Sequence, residues 1–284
     1  MAATLTAPAR QTRSPRGGQH RDRARRLTRT AGVGLGLALT WFSLLVLIPL
    51  AAIIVRAAGG GWATFHDVLT DPGTLATLRF TLLTAVSVTL VNAMMGTLIA
   101  WLLVRDRLPG RALLDLVIDI PFAMPTIVAG LVLLALYGHD GPVGIDVSGT
   151  KPGVVLAIAF VTLPFVVRAV QPVLASLETD VEEAAASLGA SRWTTLRRII
   201  LPSLLPAITA GASLSFARAI SEYGSVVLIS MNARGVEVMS TETYRYIEGG
   251  DTAAAAAVAV LLLVIALVTI IVLDVLQRRA ARRG

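Results

Sequence analysis

The chain has 284 residues, of which 55% are hydrophobic and only 15% charged, with a mean hydropathy of +0.74. A soluble domain carries about a quarter of its residues as Asp, Glu, Lys or Arg, so this composition excludes one and points to a membrane protein. The absence of cysteine excludes disulfides, thiolate metal sites and cysteine nucleophiles, and the net charge of +7 is distributed in a way that argues against a nucleic-acid partner.

Residues 1–30 hold eight arginines among proline and glycine, which predicts a disordered basic arm held near anionic headgroups on the cytoplasmic side. Arg25-Arg26 resembles a twin-arginine export signal, but the apolar stretch that follows is longer than the roughly 7–15 residues of a signal h-region. It is read as an uncleaved first span. A bilayer core about 30 Å thick requires about 20 mainly apolar residues per helix. Six stretches meet that requirement, at 33–55, 75–104, 113–137, 152–170, 204–231 and 253–276. The expected fold is therefore all-α and polytopic, one transmembrane domain over 31–284, with no internal repeat and no room for a soluble domain.

Arginine placement orients these spans. The arm, the loop 105–111, the polar island at 183–202 and the tail beyond 276 hold most of the Arg, while Arg56, Arg79, Lys151, Arg234 and Arg245 make up the opposite side. Cytoplasmic flanks collect basic residues, which places both termini in the cytoplasm.

The third span contains Asp119-Ile120-Pro121-Phe122-Ala123-Met124-Pro125. Each proline removes a backbone donor and clashes with the preceding turn. A helix broken at membrane depth needs neighbours or a water-lined cavity to satisfy the freed groups. Asp119, Pro121 and Pro125 are thus candidates for a pathway or gate, and a kinked packing helix is the alternative. Asp115 and Asp119 are expected at the cytoplasmic end as partners of Arg105, Arg107 or Arg111. Arg168, near the end of the fourth span, is expected to snorkel to the headgroups.

In the fifth span Arg218 and Glu222 lie four residues apart, one turn of a helix, with Tyr223 beside them. Charges at this depth face a partner or a pathway. Either the two lock the helix by pairing, or Arg218 adds positive potential to an anion route; both readings stay open.

Catalytic patterns are missing. His20, His66 and His139 form no HExxH arrangement, and the one lysine, Lys151, precedes Pro152, so no phosphate-binding loop ending in Lys-Ser/Thr exists. No enzyme activity, cofactor or metal is expected.

Between Pro172 and 203 the chain leaves the membrane. Pro172 is expected to end the fourth span and Pro202 to open the fifth, with short helices between them on the inner face and a positive-φ turn at Gly189. The island holds Glu183-Ala184-Ala185, then Gly189 after three residues, then Ile199, Leu201 and Pro202 after nine more. This spacing resembles the E-A-A, x3, G, x9, I-x-L-P signature of transmembrane subunits of bacterial binding-protein-dependent ABC importers.

The stretches LLVRDRLPGRALLDLVIDIPFAMPTIVAG, LPFVVRAVQPVL, DVEEAAASLGASRW and ARAISEYGSVVLIS are similar to the sulfate/thiosulfate permease family, T-type, with molybdate permeases as close relatives. Ser221 departs from the family's expected glycine. The resemblance implies a type I importer permease of MetI-like fold. It also implies three partners: a second related permease, a separate ATPase dimer and an extracytoplasmic sulfate-binding protein. Glu183, Ala184, Ala185 and Gly189, with Ile199, Leu201 and Pro202 behind them, would then couple the permease to the ATPase. A secondary anion carrier or a non-transporting membrane scaffold are the rival classes.

Overall fold

A computed structural model describes residues 29–106, 109–177, 179–231, 233 and 235–281, and these are helical with no strand among them. The arm expected over residues 1–30 lies outside the described residues except for Arg29 and Thr30, which open the first helix.

The chain divides into two compact units, 1–49 and 50–284. In the first, α1 (Arg29–Phe42) runs into a π-helical turn at Ser43–Leu47, and its side chains from Ala31 onward are almost all exposed. Apolar apart from Thr40 and Ser43 and almost entirely unburied, this surface suits lipid. The apolar helix as a whole, Ala31–Gly59, is long enough to span a bilayer.

The second unit opens on α2 (Ile48–Gly59) from Leu50 onward, then α3 (Gly61–Thr70). Asp71 caps the N-terminus of α4 (Pro72–Arg105) by accepting from Thr74 N at 2.7 Å. Next come α5 (Arg111–Ala123), α6 (Thr126–Tyr137) and α7 (Lys151–Ser176). The loop helices α8 (Thr179–Ser187) and α9 (Arg192–Thr195) lead through a π-helical turn, Leu196–Ile200, into α10 (Leu201–Ile220). The short α11 (Gly224–Ile229) and α12 (Met239–Glu248) precede the last helix, α13 (Thr252–Ala281).

Five helices are long and apolar enough to span a bilayer, and α5 with α6, bent by 118°, makes a sixth when the pair is counted as one broken span. The all-α, polytopic fold expected from hydropathy is present, with five to six candidate spans. Three boundaries differ. The third span is two helices, because Met124 and Pro125 are extended (ψ 141° and 135°). The fifth stops at Ile220, short of residue 231. The fourth continues through Pro164 and Pro172 to Ser176; packed transmembrane helices tolerate proline where neighbours compensate the freed carbonyls. Pro202 lies in the first turn of α10 as expected, although the helical path reaches it unbroken from Arg192 through the π-helical turn. The outer stretches also carry two short helices, α3 and α12.

The core is built on α4, α7 and α10. Lipid is as apolar as leucine, so helices inside a membrane associate through close packing and hydrogen bonds. Gly96 of α4 and Gly211 of α10 close on Val166 of α7 from two sides: a Cβ on Gly211 would stand 2.8 Å from the Val166 Cα, and one on Gly96 2.8 Å from the Val166 Cβ. Asn92 donates to Ala159 O at 3.1 Å and to Thr162 Oγ1 at 2.8 Å, satisfying a buried amide between α4 and α7. Gly211→Ala is expected to cost about 1–3 kcal/mol through overpacking, read as a lower thermal midpoint in detergent; an unchanged midpoint would show that α7 and α10 can separate freely.

Candidate functional site

The polar island projects from this core as a helical hairpin. The end of α8 is closed by Gly189 N donating to Ala186 O at 2.9 Å and Ala190 N to Ala185 O at 3.0 Å, with Gly189 at φ +83°. This is the Schellman arrangement, which requires a left-handed residue and therefore favours glycine. Ser191 then caps α9 by accepting from Thr194 N.

The hairpin is seated from beneath. Ala185 is 8% exposed, and Glu182 pairs with Arg105 at 2.6 Å. Ile200 and Leu204 anchor the root of α10 in the core, with Ile199 half-buried and Leu201 and Pro202 exposed. On the outer side Glu183, Ala184 and Gly189 are exposed, as are two large apolar residues not singled out from the sequence, Leu188 at 89% and Trp193 at 68%. A large apolar side chain inside a polar island was the available signal for both. A cavity of about 560 Å³ opens between the hairpin and Trp101 of α4, and the exposed Glu183 and Trp193 line it together with Leu196.

A second site lies at the break after α10. Arg218 Nη2 is 2.7 Å from Glu222 Oε2, so the four-residue spacing does bring the two together, although Glu222 stands beyond the end of the helix. Glu222 is fully buried and Arg218 30% exposed. The other carboxylate oxygen, Oε1, accepts from the N–H and hydroxyl of Ser225 at 2.9 and 2.8 Å, and the Glu222 carbonyl accepts from Ser240. One residue, through its side chain and its carbonyl, thus holds α10, the start of α11 and the first turn of α12. Ser221 has φ −94°, an ordinary conformation, so the turn does not need the glycine expected there. Gly224 is required for closeness: a Cβ would come 2.4 Å from Thr126 Oγ1, so α11 lies tight on α6.

Tyr223 stacks obliquely on Tyr244 of α12, ring centroids 5.4 Å apart. They border a polar cavity of about 580 Å³ with Arg245 and Glu248. In α12 the buried Glu242 pairs with Arg245; burial pushes its carboxyl above the usual range, against the opposing pull of that guanidinium.

At the bent passage Pro121 is buried inside α5 and Pro125 is exposed at the start of α6. Asp115 and Asp119 do not pair with Arg105, which is taken by Glu182, nor does Arg168 snorkel freely. Arg168 binds both aspartates at 2.7 Å. Asp119 is consequently engaged side-on by a guanidinium and only part-exposed.

A helical bundle with five to six candidate spans and a glycine-turned hairpin defines the class, a polytopic membrane protein. Residues 92–282 match the family of binding-protein-dependent transport system inner membrane components. The chain is 40% identical over 259 residues to the sulfate transport system permease protein CysT of Escherichia coli, covering 88% of this chain and 94% of that one. It is 43% identical over 203 residues to CysT of Synechocystis, covering 69% and 71%. In structure it resembles a subunit of a bacterial alginate ABC transporter (TM-score 0.76, 18% identity, 88% and 94% covered) and one of the MetNI methionine ABC transporter (TM-score 0.54, 19% identity, 74% and 99% covered), which shows a MetI-like fold. The chain belongs to the binding-protein-dependent inner-membrane component family, in the branch of the CysT sulfate permeases. It is a multi-pass membrane subunit, and in this family ATP hydrolysis resides on a separate subunit.

Proposed function

We propose that the chain is the transmembrane subunit of an ATP-driven importer for sulfate or thiosulfate, forming the passage and coupling it to a separate ATPase dimer. The observation that carries this is the 40% identity to the Escherichia coli sulfate permease, which extends over nearly the whole of both chains. A second related permease and an extracytoplasmic sulfate-binding protein complete the assembly. Both termini face the cytoplasm in this reading, which the arginine distribution supports.

The hairpin is the coupling element. Glu183, Ala184, Gly189, Leu188 and Trp193 form its docking surface, with an apolar centre and a charged edge suited to a groove in the ATPase. Ala185 seats α8 from within, and Ile199, Leu201 and Pro202 form the stem through which displacement reaches α10. Nucleotide state moves the hairpin only if it favours one docked conformation over another. Arg218, Glu222, Tyr223 and the bent passage at Asp119, Pro121 and Pro125 border the route, where Arg218 supplies positive potential for a dianion and Glu222 limits it.

Uptake of labelled sulfate by the reconstituted assembly tests the substrate. Excess unlabelled sulfate or thiosulfate is expected to suppress it and equal molybdate to leave most of it; suppression by molybdate alone would assign the chain to molybdate instead.

A further inference from the structure

Helix α5 is held to the bundle in an unusual way. Most of its apolar side chains are exposed, Leu113 and Leu116 each to 64%, while Ile118 packs against the core and Pro121 is buried, and α7 is the helix it packs against most. That contact carries a dense polar network. Arg168 of α7 donates through Nε and Nη2 to the two oxygens of Asp119 at 2.8 and 2.7 Å, and through Nη1 to Asp115 Oδ1 at 2.7 Å. Nη2 also reaches the Asp115 carbonyl at 2.9 Å, and Gln171 accepts from Nη1. Apolar contacts add to these bonds: Ile118 packs against the cluster that holds Val167 and Val170, and the Phe122 ring meets Phe165 edge-on at 4.9 Å.

The two ends of this contact differ in freedom. On α7, Val166, Val167 and Val170 are fully buried, so Arg168 projects from a fixed post. At its far end α5 meets the extended pair Met124-Pro125, beyond which α6 is pinned against α11 by the close approach at Gly130, whose Cβ would stand 2.7 Å from Ser225 O. A rigid rod jointed at one end and clamped in its middle by one planar group can swing only if the clamp lets go.

We propose that Arg168 is a positioning residue of transport: its guanidinium clamps two successive turns of α5 to α7, and α5 swings about Met124-Pro125, opening and closing this clamp as the passage alternates. The inference rests on the importer reading above. Arginine is required because its planar fork serves both carboxylates at once, whereas a lysine ammonium is a point charge. Arg168 divides its guanidinium between two carboxylates, so neither receives the whole of it as in a one-to-one pair, which suits a contact made and broken in each cycle.

The assembled importer in proteoliposomes provides the test. Arg168→Lys is expected to lower the maximal sulfate uptake rate about tenfold while leaving the half-saturating concentration of loaded binding protein within about twofold, the pattern of a step lost after binding. Equal loss through half-saturation alone would overturn the proposal. The chain has no native cysteine, so a Phe122→Cys, Phe165→Cys double variant can be bridged by a short bis-thiosulfonate and released by reductant, each protein serving as its own reference whatever the folding yield of the lysine variant. Bridging is expected to stop uptake and reduction to restore it. Undiminished uptake in the bridged form would overturn the clamp alone. Failure of the unmodified assembly to take up sulfate would overturn the importer reading and this inference with it.

Discussion

Gly189→Val is expected to abolish most transport while leaving the bundle folded and inserted. The residue holds φ +83° and closes α8, and a Cβ there would meet no atom within 4 Å. No atom of this chain crowds that Cβ, so within the chain the effect comes from the backbone conformation. A left-handed conformation costs an L-residue about 1–2 kcal/mol, most for a β-branched one, and such a cost lowers the population of the native turn about 5- to 30-fold. Because Leu188 and Trp193 flank this turn, their spacing changes with it. Gly189→Asn, which tolerates the left-handed region, should retain most uptake. Equal transport by all three proteins, measured with labelled sulfate at matched membrane levels, would remove the hairpin from the coupling path.

Glu222→Gln is expected to have the second large effect, on folding. The carboxylate is fully buried, neutralises Arg218 and holds the first turn of α11 through Ser225. Removing one member of a buried pair costs about 3–5 kcal/mol, and the part-exposure of Arg218 places the cost at or below the lower end of that range. The yield of monodisperse protein and its thermal midpoint should both fall. Adding Arg218→Gln should recover much of the midpoint, because contacting charges are coupled, while uptake stays below wild type if the passage has lost its cation. Full uptake by the double variant would make the pair a structural lock and nothing more.

Residue type and spacing were informative where local chemistry decides. The turn at Gly189 is readable because a short polar segment after an alanine-rich helix needs a left-handed closure. The Arg218–Glu222 pair is readable because four residues bring side chains together even where the helix ends between them. What could not be read depends on residues far apart in the chain. Arg168 meets Asp115 and Asp119 from 53 and 49 positions away, and only the packing of α5 on α7 sets that choice. Pro172 lies inside a helix because its neighbours compensate it, and Ala185 faces inward because Glu182 ties α8 to Arg105. The family-wide signature marked the hairpin as a unit but did not separate the residues that seat it from those that face outward.

The account turns on work delivered from a separate ATPase through the hairpin to an oxyanion passage. The most direct measurement is labelled sulfate flux into proteoliposomes containing the permease pair, the ATPase and loaded binding protein, with ATP on the hairpin side, compared with the same vesicles carrying a hydrolysis-deficient ATPase. Accumulation above the external concentration in the first case and none in the second is the predicted result. Equal flux in both, or flux that persists when the ATPase is omitted, would contradict it.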